Sequence, residues 1–286
     1  MTNLLFLTPD IPYRCTNYKT YTDDTAEDPN ESDFYPFRNT LRGEKYQHYL
    51  AEYYRDEHNA VYDLGHVGGV ANTRACNFIV LSRLDLMAAL NTVGTYQGTW
   101  DFALQSSSDD STYTDRHNIT DVSTASLIGS WSNDYVSTFT ATSAFRYWRT
   151  NWQKTSGSDN TLRVGKVYFG TAFDIGTDPS DFSIERLKDG ETMFVADGGA
   201  RYPSRVKHPT YEINLTYEGL TDTELQSFKE EVARHRYTTP VFLYSTSFHE
   251  VTDGKQLIFC KLSEWRTEQA KRDWNNLACR FTESIG

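Results

Sequence analysis

Thr99-Trp100-Asp101-Phe102-Ala103-Leu104-Gln105 alternates apolar and polar residues without a break. A period of two places Trp100, Phe102 and Leu104 on one face of a strand. Upstream, Ala75-Cys76-Asn77-Phe78-Ile79-Val80-Leu81 ends in a continuous apolar run, which predicts a strand buried on both faces. Val61-Tyr62-Asp63-Leu64-Gly65 is a short strand closed by a glycine turn. Gly65-His66-Val67-Gly68-Gly69 lacks both the P-loop lysine and the Rossmann spacing, so it reads as a turn between strands. Downstream, residues 105–115 are a loop rich in Ser, Asp and Thr, and further strands are predicted at 136–142, 145–152 and 162–169. A turn of polar residues and glycine at 155–160 separates the last two. Short strands at this spacing, with polar turns between them, predict a β-sandwich.

Residues up to about Asp33 are polar and are expected to be irregular, with an acidic loop from Asp23 to Asp33. Clustered carboxylates supply oxygen ligands for calcium, but the spacing matches no EF-hand loop, and a solvated loop is the simpler reading. The rhythm changes after Gly170. Residues 171–181, with Gly176 and Pro179, read as a connector, and Tyr211-Glu212-Ile213-Asn214-Leu215-Thr216-Tyr217 is an alternating strand. Thr221 and Glu224 form the capping box of a helix, with Leu220 and Leu225 as its hydrophobic staple. The helix's apolar face is Leu225, Phe228 and Val232, and Arg234, His235 and Arg236 suit its C-terminal dipole. Pro240 ends that segment, and strands follow at 241–245, 257–265 and 275–283. The fold class is therefore mainly β: a sandwich over residues 1–175 with an irregular N-terminal segment, then a small α+β module over 176–286.

Aromatic residues make up 14% of the chain, with 19 Tyr and 16 Phe, a composition suited to pleated, half-buried surfaces. No apolar run approaches the roughly 20 residues of a spanning helix, and the start, Met1 to Asp10, has no basic region of the signal-peptide kind. It reads as the mature start of a protein made inside the cell. A net charge of −11 opposes nucleic-acid binding, which depends on Lys and Arg neutralising phosphates. Cys15, Cys76, Cys260 and Cys279 form no CxxC pair, so they predict neither a zinc nor a redox site. Cys260 and Cys279 fall in neighbouring predicted strands as small buried hydrophobes.

The search for chemistry returns no GxSxG elbow, no HExxH and no phosphate-binding glycine loop. No catalytic, cofactor or metal residues are assigned. The seven histidines lie far apart. His48 and His58 are candidate ligands in a Tyr-rich stretch, for which a surface or loop position is the simpler account. Trp100, Trp131, Trp148 and Trp152 all fall in the sandwich, and exposed rings stack on pyranose faces. Trp100 belongs to the core face of its strand. Trp148 and Trp152 share a parity opposite to Phe145 and Tyr147, so one of the two sets faces out or lines an interface. Trp148 and Trp152 are the candidate glycan or partner surface.

Three stretches carry a resemblance to the galactose-binding-like jelly roll: Ala60-Val61-Tyr62-Asp63-Leu64-Gly65, residues 78–86, and Phe145-Arg146-Tyr147-Trp148-Arg149 with residues 161–170. That family includes sugar, lipid and protein binders, so the resemblance implies a fold rather than a ligand. The two-part arrangement also resembles minor, distal-tail-like proteins of tailed bacteriophages, in which such a sandwich is joined to a split-barrel module. Tyr35-Pro36-Phe37-Arg38-Asn39-Thr40-Leu41, Phe169-Gly170-Thr171-Ala172-Phe173 and residues 274–283 carry it, although in the archetypal distal tail proteins the split barrel comes first. This resemblance implies a non-enzymatic structural component of a tail tip or baseplate, located in the virion and assembled in the host cytoplasm. It would form a ring-like homo-oligomer through the strands around Tyr211 and Trp274, and would contact tail tube, hub or baseplate proteins. A host glycan is a further possible partner, and the alternative is a carbohydrate-binding module recognising a surface glycan. Neither reading includes a cofactor, direct nucleic-acid binding or membrane insertion.

Overall fold

The computed structural model describes residues 4–9, 11–12, 15–22, 26–27, 49–50, 57–82, 98–122, 134–157, 163–164, 166–187, 193–195, 201–203, 210–233, 241–246, 248, 256–271 and 274–283. Two antiparallel sheets dominate them. The first contains β2 (Asn17–Thr22), β3 (Ala26–Glu27), β5 (Glu57–Asp63), β9 (Gly98–Ser107), β10 (Thr114–Ile119) and β12 (Tyr147–Gly157), in the order β10-β9-β12-β5-β2-β3. The second is nine-stranded. Its first half in space is β11 (Tyr135–Thr138), β8 (Phe78–Ser82), β14 (Lys166–Phe173) and β1 (Leu5–Thr8). It continues through β19 (Val241–Tyr244), β20 (Leu257–Lys271), β21 (Trp274–Glu283), β18 (Thr210–Leu220) and β15 (Asp181–Leu187). Three two-stranded pairs complete the set: β4 (Tyr49–Leu50) with β13 (Arg163–Val164), β6 (His66–Val67) with β7 (Val70–Ala71), and β16 (Met193–Val195) with β17 (Arg201–Pro203).

The sandwich core lies between the six-stranded sheet and the β8–β14 part of the larger one. Trp100, Phe102 and Leu104 of β9 and Tyr62 of β5 meet Ile79, Leu81, Val167 and Phe169 from the facing sheet. Phe78, Ile79, Val80 and Leu81 are all fully buried. The continuous run is explained by this sheet having apolar clusters on both faces, since Phe78 and Val80 pack with Leu7, Tyr168, Phe242 and Leu257 on the other side.

The helix, α1 (Asp222–Glu231), covers the second half of the nine-stranded sheet. Thr221 Oγ1 accepts from the Glu224 N–H at 3.3 Å and Glu224 Oε2 accepts from the Thr221 N–H at 2.8 Å, which closes the capping box. The donated N–H holds the Glu224 carboxyl below the ordinary range. Leu225, Phe228 and Val232 pack onto Tyr217, Leu277 and Cys279. Arg234, His235 and Arg236 lie outside the described residues.

Two expectations are corrected. The N-terminal segment is not wholly irregular, because β1, β2 and β3 lie within it. β1 sits inside the large sheet, with Phe6 opposite Phe173 on one side and Leu243 on the other. Leu4-Leu5-Phe6-Leu7 is a short continuous apolar run with no period to read, and the partners of β1 are far away in sequence. The strands around Tyr211 and Trp274 are likewise not edges. β18 and β21 are interior strands, and among the described residues the ends of the sheet order are β11 and β15. β14 ends at Phe173 and β15 begins at Asp181, and the nine-stranded sheet runs on from β14 through β1 and β19.

Phe6 contacts Phe173, Phe228 and Phe281 with ring centroids 6.1, 5.9 and 5.9 Å away, so it ties β1 to α1 and to β21. Phe6→Ala is expected to cost about 3–5 kcal/mol, as for other buried aromatic truncations. Urea denaturation followed by intrinsic fluorescence measures it; a loss below about 1 kcal/mol would show that β1 is not a structural strand.

Candidate ligand-binding site

Strand β12 sorts its residues by parity. Trp148, Thr150 and Trp152 point into the sandwich, and Trp148 and Trp152 are 0% and 3% exposed. Trp152 stacks edge-on against Phe102 at 4.7 Å and Trp148 against Phe145 at 6.2 Å. The sequence assignment of these two tryptophans to a glycan or partner surface is therefore corrected: both are core residues. The register decides it, because Trp152 pairs with Phe102 and Trp148 with Tyr62, both on the inner face. Trp131 and His48 lie outside the described residues. His58 is neither on a loop nor on the surface; it is buried in β5, 5.6 Å from the Trp100 ring.

The opposite set, Tyr147, Arg149, Asn151 and Gln153, forms the outer face with Ser107, Gln105, Ala103 and Asp101 of β9. At one end of this face two guanidinium groups lie over tyrosine rings. Arg149 sits 4.2 Å from the Tyr113 centroid and Arg146 sits 4.5 Å from that of Tyr147. Arg149 Nε donates to Gln105 Oε1 at 2.6 Å, and Gln105 Nε2 donates to Asp115 Oδ1 at 2.7 Å. Gln105 is thus pinned at both ends of its amide, which fixes the arginine above the ring.

Arg146 also donates from Nε and Nη2 to the two Asp63 oxygens at 2.7 and 2.8 Å, a bidentate pair whose side chains are 18–19% exposed. Arg146 holds the Asp63 carboxyl below its ordinary 3.8, helped by the Gly65 N–H, which donates to Oδ1 at 2.7 Å. Arg146 Nη1 approaches His66 Nε2 at 3.2 Å.

The turns around this end are set by glycine conformations and local hydrogen bonds. Gly65 has φ +68°, and a Cβ there would lie 2.6 Å from Thr16 Oγ1, so the tight turn after β5 requires glycine. The turn joining β6 and β7, as the sequence implied, has Gly68 and Gly69 at φ +62° and +82°. In the β9–β10 loop the Asp109 carboxylate accepts from the Ser111 and Thr112 N–H groups at 3.0 and 3.1 Å, which holds its pKa far down. The Tyr113 hydroxyl donates to Asp110.

Tyr113, Arg149, Gln105, Tyr147, Arg146, Asp63 and His66 thus form one row across the end of the sheet. Sequence reasoning missed them as a set. The usable signal was Arg149 and Gln153 alternating with Trp148 and Trp152, which marks the wet face. Among the described residues no three His, Cys, Asp or Glu side chains gather as a metal site, and no helix is long and apolar enough to cross a membrane. None of the four cysteines is in a disulfide, and Cys76, Cys260 and Cys279 are buried. Burial pushes the Cys279 thiol well above its ordinary value.

No family model and no curated protein matches this chain. Among solved structures, the CBM32 of AlyQ in complex with 4,5-unsaturated mannuronic acid shares 17% identity over 54% of this chain and 94% of its own, at a TM-score of 0.35. A pectin binding carbohydrate binding module shares 10% over 55% and 91%, at 0.36. A Ruminococcus gnavus GH29 fucosidase in complex with fucose shares 10% over 57% of this chain but only 27% of its own, at 0.38. The tail-protein resemblance finds no support in these comparisons. At such TM-scores the similarities say nothing of what this chain binds.

The Asp63–Arg146 pair makes stability depend on pH with a defined sign. A carboxyl whose folded pKa is depressed contributes fully above its ordinary value, and the contribution is lost as pH falls through the lower folded value. Asp63→Asn should therefore lower the urea midpoint at pH 7, with the gap to wild type closing below about pH 4. Denaturation from pH 7 to 2.5 tests this; a pH-independent gap would mean that the ion pair is not its source.

Proposed function

We propose that this chain is a non-catalytic carbohydrate-binding protein whose site is the row from Tyr113 to His66. The observation that carries the reading is the pair of guanidinium–tyrosine stacks at the end of one sheet, 4.2 and 4.5 Å apart internally. A pyranose offers a flat C–H face and a rim of hydroxyls that both donate and accept. Stacked planar groups suit the face, while Arg146, Arg149 and His66 supply donors and Asp63 and Asp110 supply acceptors for the rim. The Asp63–Arg146 salt bridge and the pinned Gln105 hold these groups before any ligand arrives, which limits the ordering cost of binding.

The assembly reading rests on a different observation. Among the described residues β15 pairs on one side only, with β18, and a strand edge is a pairing site for another chain. On that reading the protein is a structural component of a tail tip or baseplate, joining copies of itself and other tail proteins in the virion. Light scattering that finds a monomer at every concentration would sink it.

A glycan array followed by calorimetry tests the carbohydrate reading. Tyr147→Ala or Arg149→Ala should weaken binding by at least about tenfold, equivalent to roughly 1.4 kcal/mol, with the melting temperature little changed. Binding unaffected by both substitutions would remove the row from consideration as the site.

A further inference from the structure

Below the row, the outer face continues along β9 and β12 as a ladder of cross-strand pairs. Arg149 stands opposite Gln105, Asn151 opposite Ala103, and Gln153 opposite Asp101. On one flank β10 places Asp115 beside Gln105 and Asn118 beside Ala103. On the other β5 places Asn59 beside Asn151 and Glu57 beside Gln153. The ladder is joined by its own hydrogen bonds. Asn118 Nδ2 donates to Asp115 Oδ2 at 3.1 Å, Asn151 Nδ2 donates to Asn59 Oδ1 at 2.7 Å and to Glu57, and Asn59 Nδ2 donates to Glu57 Oε1 at 3.0 Å.

Its depth is uneven. Asp115, Asn118 and Gln153 are exposed, whereas Asn151 and Asn59 are 9% and 3% exposed. Ala103 is the smallest side chain among the paired positions, half-buried between the two levels. The small side chain of Ala103 is the lowest point of the ladder, with Asn118 on one side and Asn151 on the other.

From these features we infer that the site takes an internal stretch of a linear, uncharged polysaccharide rather than a single terminal sugar. The inference rests on the carbohydrate reading above. Gln153 lies six positions after Tyr147, so the track is about 20 Å long at the rise of an extended strand, the span of several linked pyranoses. Its exposed amides, Asn118 and Gln153, can both donate and accept, as hydroxyls require, while Asn59 and Asn151 are buried and bonded to one another and to Glu57. Its charges exclude a polyanion: Glu57, Asp101 and Asp115 outnumber Arg149, Arg146 is neutralised by Asp63, and the chain carries −11 overall.

Calorimetry with cello-, manno- and N-acetylchito-oligosaccharides of one to six residues tests it, with oligogalacturonates as charged controls. In the neutral series that binds, affinity should rise at least tenfold from the monosaccharide to the tetrasaccharide and then level off. Oligogalacturonates of equal length should bind more weakly. Ala103→Gln, which fills this low point, should abolish the length dependence while leaving the melting temperature within a few degrees of wild type. A monosaccharide bound as tightly as the hexasaccharide, a preference for oligogalacturonate, or an unchanged length series in folded A103Q would each overturn the inference alone. Absence of binding at every length would overturn the carbohydrate reading and this inference with it.

Discussion

β1 is hydrogen-bonded on both sides within the large sheet, to β14 through Phe6–Phe173 and to β19 through Phe6–Leu243. Its side chains alternate between two apolar clusters: Leu4 and Phe6 enter the core beneath α1, while Leu5 and Leu7 enter the cluster on the opposite face. A few residues further on, Ile11 enters the sandwich core. One short segment thus reaches all three clusters. Without it, β14 and β19 would each present an unpaired row of backbone groups where the structure now has a continuous ladder. Its partners arrive more than 160 residues later in the chain, so the large sheet closes only when most of the polypeptide is in place.

That closure matters to the site at one remove. β14 and β8 supply the wall against which the six-stranded sheet packs, and Val167, Phe169, Ile79 and Leu81 fill that wall. A well-filled inner face fixes the parity of β9 and β12. Trp148 and Trp152 are held inward, and the side chains between them have only the outer face to occupy. Arg149 faces outward, over Tyr113, because its neighbour Trp148 points inward beside Tyr62. The polar row is the other side of the hydrophobic core.

Local features could be read from sequence because their determinants are adjacent. Thr221, Glu224, Leu220 and Leu225 lie within six residues, and the helix they cap is in place. The alternation of Trp100, Phe102 and Leu104 and the apolar run from Phe78 to Leu81 needed only a period and a composition, and all are buried. The row was not legible because its members come from four places in the chain and meet through register. Two aromatic residues on each parity of the 145–152 segment left the inner face undecided, since Phe145 lies before the strand and packs on Trp148 instead of following Tyr147 outward. β1 failed for the opposite reason: its determinants are all distant.

The direction of the pKa shifts bears on what such a row is suited to do. A carboxyl that must deliver a proton near neutral pH needs its pKa raised, usually by desolvation without a compensating donor. At this end of the sheet the shifted acids go the other way. Arg146 holds Asp63 down, and the Ser111 and Thr112 N–H groups hold Asp109 down. Both carboxylates are clamped as well as ionised, by a two-point guanidinium contact in one case and by a turn in the other. Fixed acceptors that neither move nor exchange protons are poor acid–base catalysts. They do suit the recognition of hydroxyl groups, where a partner's donors must find acceptors already in position. The same donors that depress these acids orient them, so charge state and geometry are set by one group of contacts.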